Sequence, residues 1–350
     1  MKKISFPRDG GAHNRIIEWW YFNGHLRGDD GRDYSFMDCL FKADAKKVKI
    51  PLFKIPLKTV YFSHSILSDI KNKRFYPKVD YVSIMSRQSF KRPLMFAEYV
   101  SADPFDALGG FVVNLIKESD PFDFRIKTET FDLRLKSSKP PLLEGGEGFL
   151  NLHGRKTYYY SLTSLSASGQ IYIGNKTIDV SGKAWMDHQW ANTPYNKDRW
   201  TWLSIQMDNG LEAVVIEYGN DKRDRLVDIS LPNGKTEHYG NDEINISPMG
   251  KPWKSKHTGA SYELSWRIEV PAKRAVFEVE PMMKEQEMIF GALNYWEGPL
   301  KVRATIDGRT VKGKGFLELV GRPSKYGAIG MLKDVYKTGI KDELKKIFKK

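Results

Sequence analysis

Apolar and polar residues alternate along most of this chain in short runs, and that period of two marks half-buried β-strands. Residues 16–26 and 34–41 form two such runs around the turn residues Asp29, Asp30 and Gly31, which predicts an antiparallel pair. Runs at 61–67, 125–129, 131–135, 157–165 and 170–173 continue the pattern as a meander. The polar stretch 191–198, with Pro194 inside it, interrupts it. A second series follows: 199–207 and 211–218 around Asp208-Asn209-Gly210, then 224–231, 261–270, 275–279, 293–297 and 310–320. Many short strands at this spacing predict an all-β protein of barrels or sandwiches. The expected domains are 1–192 and 193–324. Beyond them Leu332, Tyr336, Ile340, Leu344 and Phe348 recur every four residues among lysines, which predicts a basic amphipathic helical tail over 325–350.

Composition supports two real cores: the chain has 350 residues, 41% of them hydrophobic and 13% aromatic. Cys39 is the one cysteine, so no internal disulfide is expected. The N-terminus lacks the apolar core of a secretory signal and no stretch approaches membrane-spanning length, so the expected location is cytoplasmic. A net charge of +13 invites an anionic partner. Much of it lies in the tail and in 46–58, where lysines alternate with apolar residues. That pattern suits lipid headgroups better than phosphodiester grooves. The expectation is no nucleic-acid partner and either peripheral contact with an anionic membrane or a tail docked on the body.

The candidate chemistry lies in Gly182-Lys183-Ala184-Trp185-Met186-Asp187-His188-Gln189-Trp190. In an extended chain His188 and Trp190 share one face, while Trp185, Asp187 and Gln189 share the other. A proton carrier then sits beside a large π surface; the plainer alternative is a pair of core tryptophans beside a satisfied histidine. No Gly-x-Ser-x-Gly elbow, HExxH pair or Gly-x-Gly-x-x-Gly fingerprint is present. The seven histidines are scattered, so neither metal nor cofactor is expected.

Several segments together resemble one family, the lipocalin-like hydroxyneurosporene synthases (carotenoid hydratases) and AttH-type proteins. They are Glu18-Trp19-Trp20-Tyr21 with Gly24, Tyr61-Phe62-Ser63-His64, Gly146-Glu147-Gly148, Tyr158 to Thr163, Gly182 to Trp190, Tyr295-Trp296-Glu297-Gly298 and Gly315 to Gly321. The matches leave only the basic tail outside. The resemblance implies two calycin-type β-barrel domains packed together, with an apolar ligand in or between them. It also implies catalytic roles for His188 and Trp190. The family's later acid falls at Glu217, a departure in length, and Val215 stands where its tyrosine belongs unless Tyr218 substitutes.

Hydrating an isolated alkene requires a proton donor, an aromatic face for the cation and a base for the water. A two-residue turn at Asn209-Gly210 sets Trp202 across from Glu217, so Glu217 is the expected general acid, with Trp202 and Trp190 flanking the cation and His188 orienting water. Trp185, Asp187, Tyr218, Trp20 and Trp296 complete the expected ligand-binding set. Glu18 and Glu297 read as acids that bond nearby backbone. The expected function is binding of a long apolar isoprenoid, polyene or lipid-like molecule, with cofactor-free hydration, isomerisation or cyclisation. The alternative is a non-catalytic carrier.

Overall fold

The computed structural model describes residues 3–47, 58–88, 94–102, 112–193, 198–290 and 293–322. The amphipathic tail and most of the lysine-rich 46–58 segment lie outside the described residues. Two large antiparallel sheets and a small two-stranded one, Trp253–Lys254 with Ser261–Tyr262, build the described residues. The first runs Arg74–Asp80, Thr59–Asp69, Asp33–Asp44, Ile17–Gly28, Lys176–Ala191, Arg155–Ile173, Phe131–Ser137, Asp123–Lys127, Asn114–Asp120, Phe96–Ser101, Ser83–Gln88. Its edge strands follow each other in sequence, and Ser83 Oγ lies 3.3 Å from Ser63 Oγ across the closure, so the sheet is a nearly closed barrel. The second sheet is a half-barrel centred on Glu212–Tyr218, Trp200–Met207, Arg309–Val320 and Leu293–Ile306. The architecture is therefore the all-β, two-barrel arrangement expected.

Strand Ile17–Gly28 explains why the opening run is so apolar. Trp20, Phe22 and Leu26 point into the core of the first barrel, and Ile17, Trp19 and Tyr21 point into a separate core between the barrels. Both faces are buried, so clean alternation gives way to a near-continuous hydrophobic run. Each fully buried ring such as Phe22 or Phe36 contributes about 1.5–3 kcal/mol. A third core, around Leu203, Ile205, Val215, Trp266 and Trp296, fills the second barrel.

Two expectations change in detail. Runs 157–165 and 170–173 form one strand, Arg155–Ile173, with a bulge between Leu162 and Leu165. The hairpin around Gly210 closes with a three-residue loop: Met207 N–H donates to Leu211 O (2.8 Å), and Gly210 takes φ +81°. That left-handed glycine shifts the register by one, so Trp202 faces Ile216 while Thr201 faces Glu217. A one-residue slip sends every side chain to the other face.

Gly182 has a packing role. A Cβ there would lie 1.9 Å from the His25 carbonyl oxygen on the neighbouring strand. Gly182→Ala is expected to cost about 1–3 kcal/mol, read as a lowered melting temperature; an unchanged melt would show that the strands part freely. Among the described residues no helix is long and apolar enough to cross a membrane.

Candidate active site

The two faces of strand Lys176–Ala191 line two different environments. On the barrel face, pairing with strand Ile17–Gly28 sets His188 across from Trp20 and Trp190 across from Glu18. His188 Nε2 lies 3.0 Å from Glu18 Oε1, and its Nδ1 lies 3.3 Å from the Tyr160 hydroxyl. The Trp20 ring stacks on the imidazole at 4.7 Å and Trp190 leans on it at 4.8 Å. His13 stacks on Trp190 at 3.8 Å and places Nδ1 2.7 Å from Glu18 Oε1. Its Nε2 is 3.1 Å from Asp9, and Lys42 Nζ sits 2.9 Å from Glu18 Oε2. The N-terminal segment thus closes the barrel mouth over this cluster, with Trp20 Nε1 donating to Gly10 O.

Burial pushes the Glu18 carboxyl up, but hydrogen bonds from His13 and His188 and the charges of His188 and Lys42 outweigh it and bring it down to about 2. Burial dominates for His188 and lowers it to about 4, against the raising effect of Glu18. At neutral pH the pair is a carboxylate and a neutral imidazole. A carboxylate only accepts, so Nε2 carries the hydrogen and Nδ1 keeps its lone pair. The donor atoms of His13, Glu18 and His188 lie within 4.8 Å of one another, close enough to take a metal ion, with the Lys42 ammonium as a competing positive charge.

The opposite face meets the second barrel. Asp187 accepts from Trp185 Nε1 (2.6 Å), Ser161 Oγ (2.6 Å) and Tyr159 OH (2.7 Å), and Trp202 Nε1 donates to the Tyr159 oxygen at 2.8 Å. Nearby, Tyr21 OH donates to Glu297 (2.7 Å) and Trp200 Nε1 to Glu318. Burial raises Asp187 to about 6 despite those hydrogen bonds, and raises Glu318 to about 7. Burial, then the Glu318 charge, lifts Glu297 well above the usual carboxylate range; burial, then Asp228, does the same to Glu144. Buried acids and indoles here join the two barrels.

The strand therefore separates the residues expected to act together. His188, Trp190 and Trp20 share the barrel face; Trp185, Asp187 and Trp202 lie behind them. Tyr218 donates to Asp198 at 2.6 Å, and Trp296 lies in the second barrel's core with Nε1 on Lys284 O. Glu217 departs furthest from expectation. It is buried, but Arg223 holds one oxygen at 2.7 Å and Arg225 the other at 2.8 Å. Both oxygens are committed to an ion pair, so Glu217 has none to offer a ligand as the general acid. Glu217→Gln is expected to cost about 1–2 kcal/mol in a denaturant melt and to leave turnover unchanged; a specific loss of turnover would restore the catalytic role. Glu18 accepts from the nearby His13 backbone N–H (2.9 Å), as expected, and is in addition the partner of His188. Asp9 and His13 reach the cluster from the segment just before the first strand, and Tyr160, which lies inside one of the matched segments, enters through its pairing with His188.

The AttH-like family profile matches residues 1–322. A crystal structure assigned to AttH from Nitrosomonas europaea is 25% identical, with a TM-score of 0.75, covering 92% of this chain and 98% of that one. Kievitone hydratase from Nectria haematococca has the same fold at 16% identity, with a TM-score of 0.71 over 91% of this chain and 93% of its own. The dehydratase asqC of Emericella nidulans is 26% identical over 166 residues, 45% of this chain and 47% of that protein. The chain thus aligns with about half the length of that curated relative. With the profile spanning both barrels, the chain belongs to the AttH-like family.

Proposed function

We propose that this protein is a hydro-lyase that adds water to, or removes it from, a carbon–carbon double bond of a hydrophobic small molecule, at the His188 end of the first barrel. The observation that carries this reading is the buried His188–Glu18 pair between Trp20 and Trp190. Glu18 fixes the imidazole tautomer and orientation, as a carboxylate does behind a catalytic histidine. Nδ1 can then take a proton from water, or return one to a leaving hydroxyl, and positioned bases of this kind accelerate by about 10²–10⁴-fold. The indole faces suit an electron-poor carbon in the transition state. The names of two relatives, a hydratase and a dehydratase, support water chemistry of this type. A long isoprenoid or polyene fits the aromatic wall that the ligand would meet.

The test is incubation of a host lipid extract with the purified protein in ¹⁸O-labelled water, followed by mass spectrometry. A product heavier by one labelled water, or an alcohol converted to its alkene, supports the hydro-lyase. A co-purifying ligand that stays chemically unchanged makes the protein a carrier and overturns it.

A further inference from the structure

We propose that Asp38 is the general acid of the reaction, donating its proton to a ligand that lies along the inner wall of the first barrel between it and His188. The inference rests on the hydro-lyase reading and supplies the donor that Glu217 cannot be. Strand Asp33–Asp44 turns Tyr34, Phe36 and Leu40 into the barrel core, and the period of two puts Asp38 on the same face. Asp38 is 1% exposed, and neither of its carboxyl oxygens has a hydrogen-bond partner among the described residues. That sets it apart from Asp187 and Glu217, whose oxygens are all engaged. Buried polar groups are almost always satisfied, so an orphaned carboxyl on a barrel wall points to a group that arrives from outside.

The ionisable groups around it are few. Asp80, 3% exposed, accepts from Ser63 Oγ at 3.1 Å and has Lys78 Nζ at 4.0 Å; Tyr99 lies in the same core. Burial, then the Asp80 charge, pushes the Asp38 carboxyl up to about 8, so it keeps a proton at neutral pH. Asp38 pairs with Phe22, Phe22 pairs with Met186, and His188 follows two residues on. By strand geometry the two backbone positions are roughly 12 Å apart. That separation is the span a double bond and one water must bridge.

In hydration the Asp38 O–H bond breaks as a new C–H bond forms with the alkene π electrons. The other carbon bonds to the water oxygen, and His188 Nδ1 takes the proton that water releases. Asp38 ends as a carboxylate and His188 as an imidazolium; passage of one proton back through solvent resets both. Dehydration is the reverse.

The ¹⁸O assay on the lipid extract, run on wild type and Asp38→Asn, separates the outcomes. Supporting the proposal, wild type incorporates label and Asp38→Asn does so at least about 100-fold more slowly with an unchanged melting temperature. Equal incorporation by both proteins overturns the role of Asp38 and leaves the hydro-lyase standing. Wild type that neither incorporates label nor forms an alkene removes both. Should Asp38→Asn fail to fold, Asp80→Asn decides. Asp80 is a positioning residue, and loss of its charge moves the alkaline limb of the pH–rate profile to lower pH; an unmoved limb overturns the proposal.

Discussion

Replacing His188 with glutamine is expected to lower turnover by about 10²–10⁴-fold while the protein stays folded. The glutamine amide can still donate to Glu18 Oε1, so the buried carboxylate keeps a partner, but no basic nitrogen remains to take a proton. Removing Glu18 is different. Its two oxygens engage His13, His188 and Lys42 at 2.7–3.0 Å. Glu18→Ala leaves two imidazoles and an ammonium without their shared carboxylate, and breaking a buried ionic network in this way costs about 3–5 kcal/mol. Thermal melts and labelled-water turnover on the two variants separate chemistry from stability. The pH profile adds a second check. Because burial holds His188 near 4 rather than at the usual imidazole value, activity persists to pH 5 and falls only as His188 protonates below that. An acid limb near pH 6.5 would remove His188 from the role of base.

Raising the pH from 7 to 9 is expected to destabilise the protein through the junction between the barrels. The sign follows from proton linkage. Folded-state values for Glu318, Glu297 and Glu144 lie above those of the unfolded chain, so the folded state holds protons that the unfolded state has already lost. Stability then falls with rising pH through each folded value. For Glu318, raised from 4.5 to about 7, the loss of roughly 3 kcal/mol falls between those values and is nearly complete by pH 7, so the decline from 7 to 9 belongs to Glu297 and Glu144. Asp187, raised to about 6, has lost its share by pH 7, and Asp38, raised to about 8, adds to the decline above it.

Below neutrality a second set of groups acts in the opposite direction. Burial lowers His25 and His188 to about 4 and His64 to about 3, and unfolding lets them take up protons below pH 6.5. Their contribution is therefore complete above 6.5 and is lost on acidification. Urea midpoints measured across the range should peak near neutrality and fall toward pH 9. Glu297→Gln should flatten the alkaline arm, because an amide presents a neutral group at every pH. A midpoint that keeps rising to pH 9 would show that these acids ionise without cost.

Much of this was legible in the chain. Alternation is a local property, and a strand with one face buried writes it into consecutive residues, so the strands and the all-β class follow from the pattern itself, while the two barrels followed from the family resemblance. The split of the Trp185–Trp190 segment into two faces follows from the same period. Its roles did not. Sequence placed Asp187, Trp202 and His188 in one site, because proximity along the chain says nothing about which side of a sheet a ligand uses. At the Gly210 hairpin a single extra loop residue put Trp202 and Glu217 on opposite faces, and the arginines that claim Glu217 come from the following loop and strand.

What the residue pattern alone determined was an all-β class and a histidine beside indoles, and the family resemblance added the two barrels. Tertiary structure decided the chemistry, because the decisive contacts are remote. His188 and Glu18 are 170 residues apart, and Tyr21 and Glu297 are 276 apart. Strand register brings such pairs together, and register is set by the summed burial of whole faces and by turn geometry, neither of which any one residue encodes.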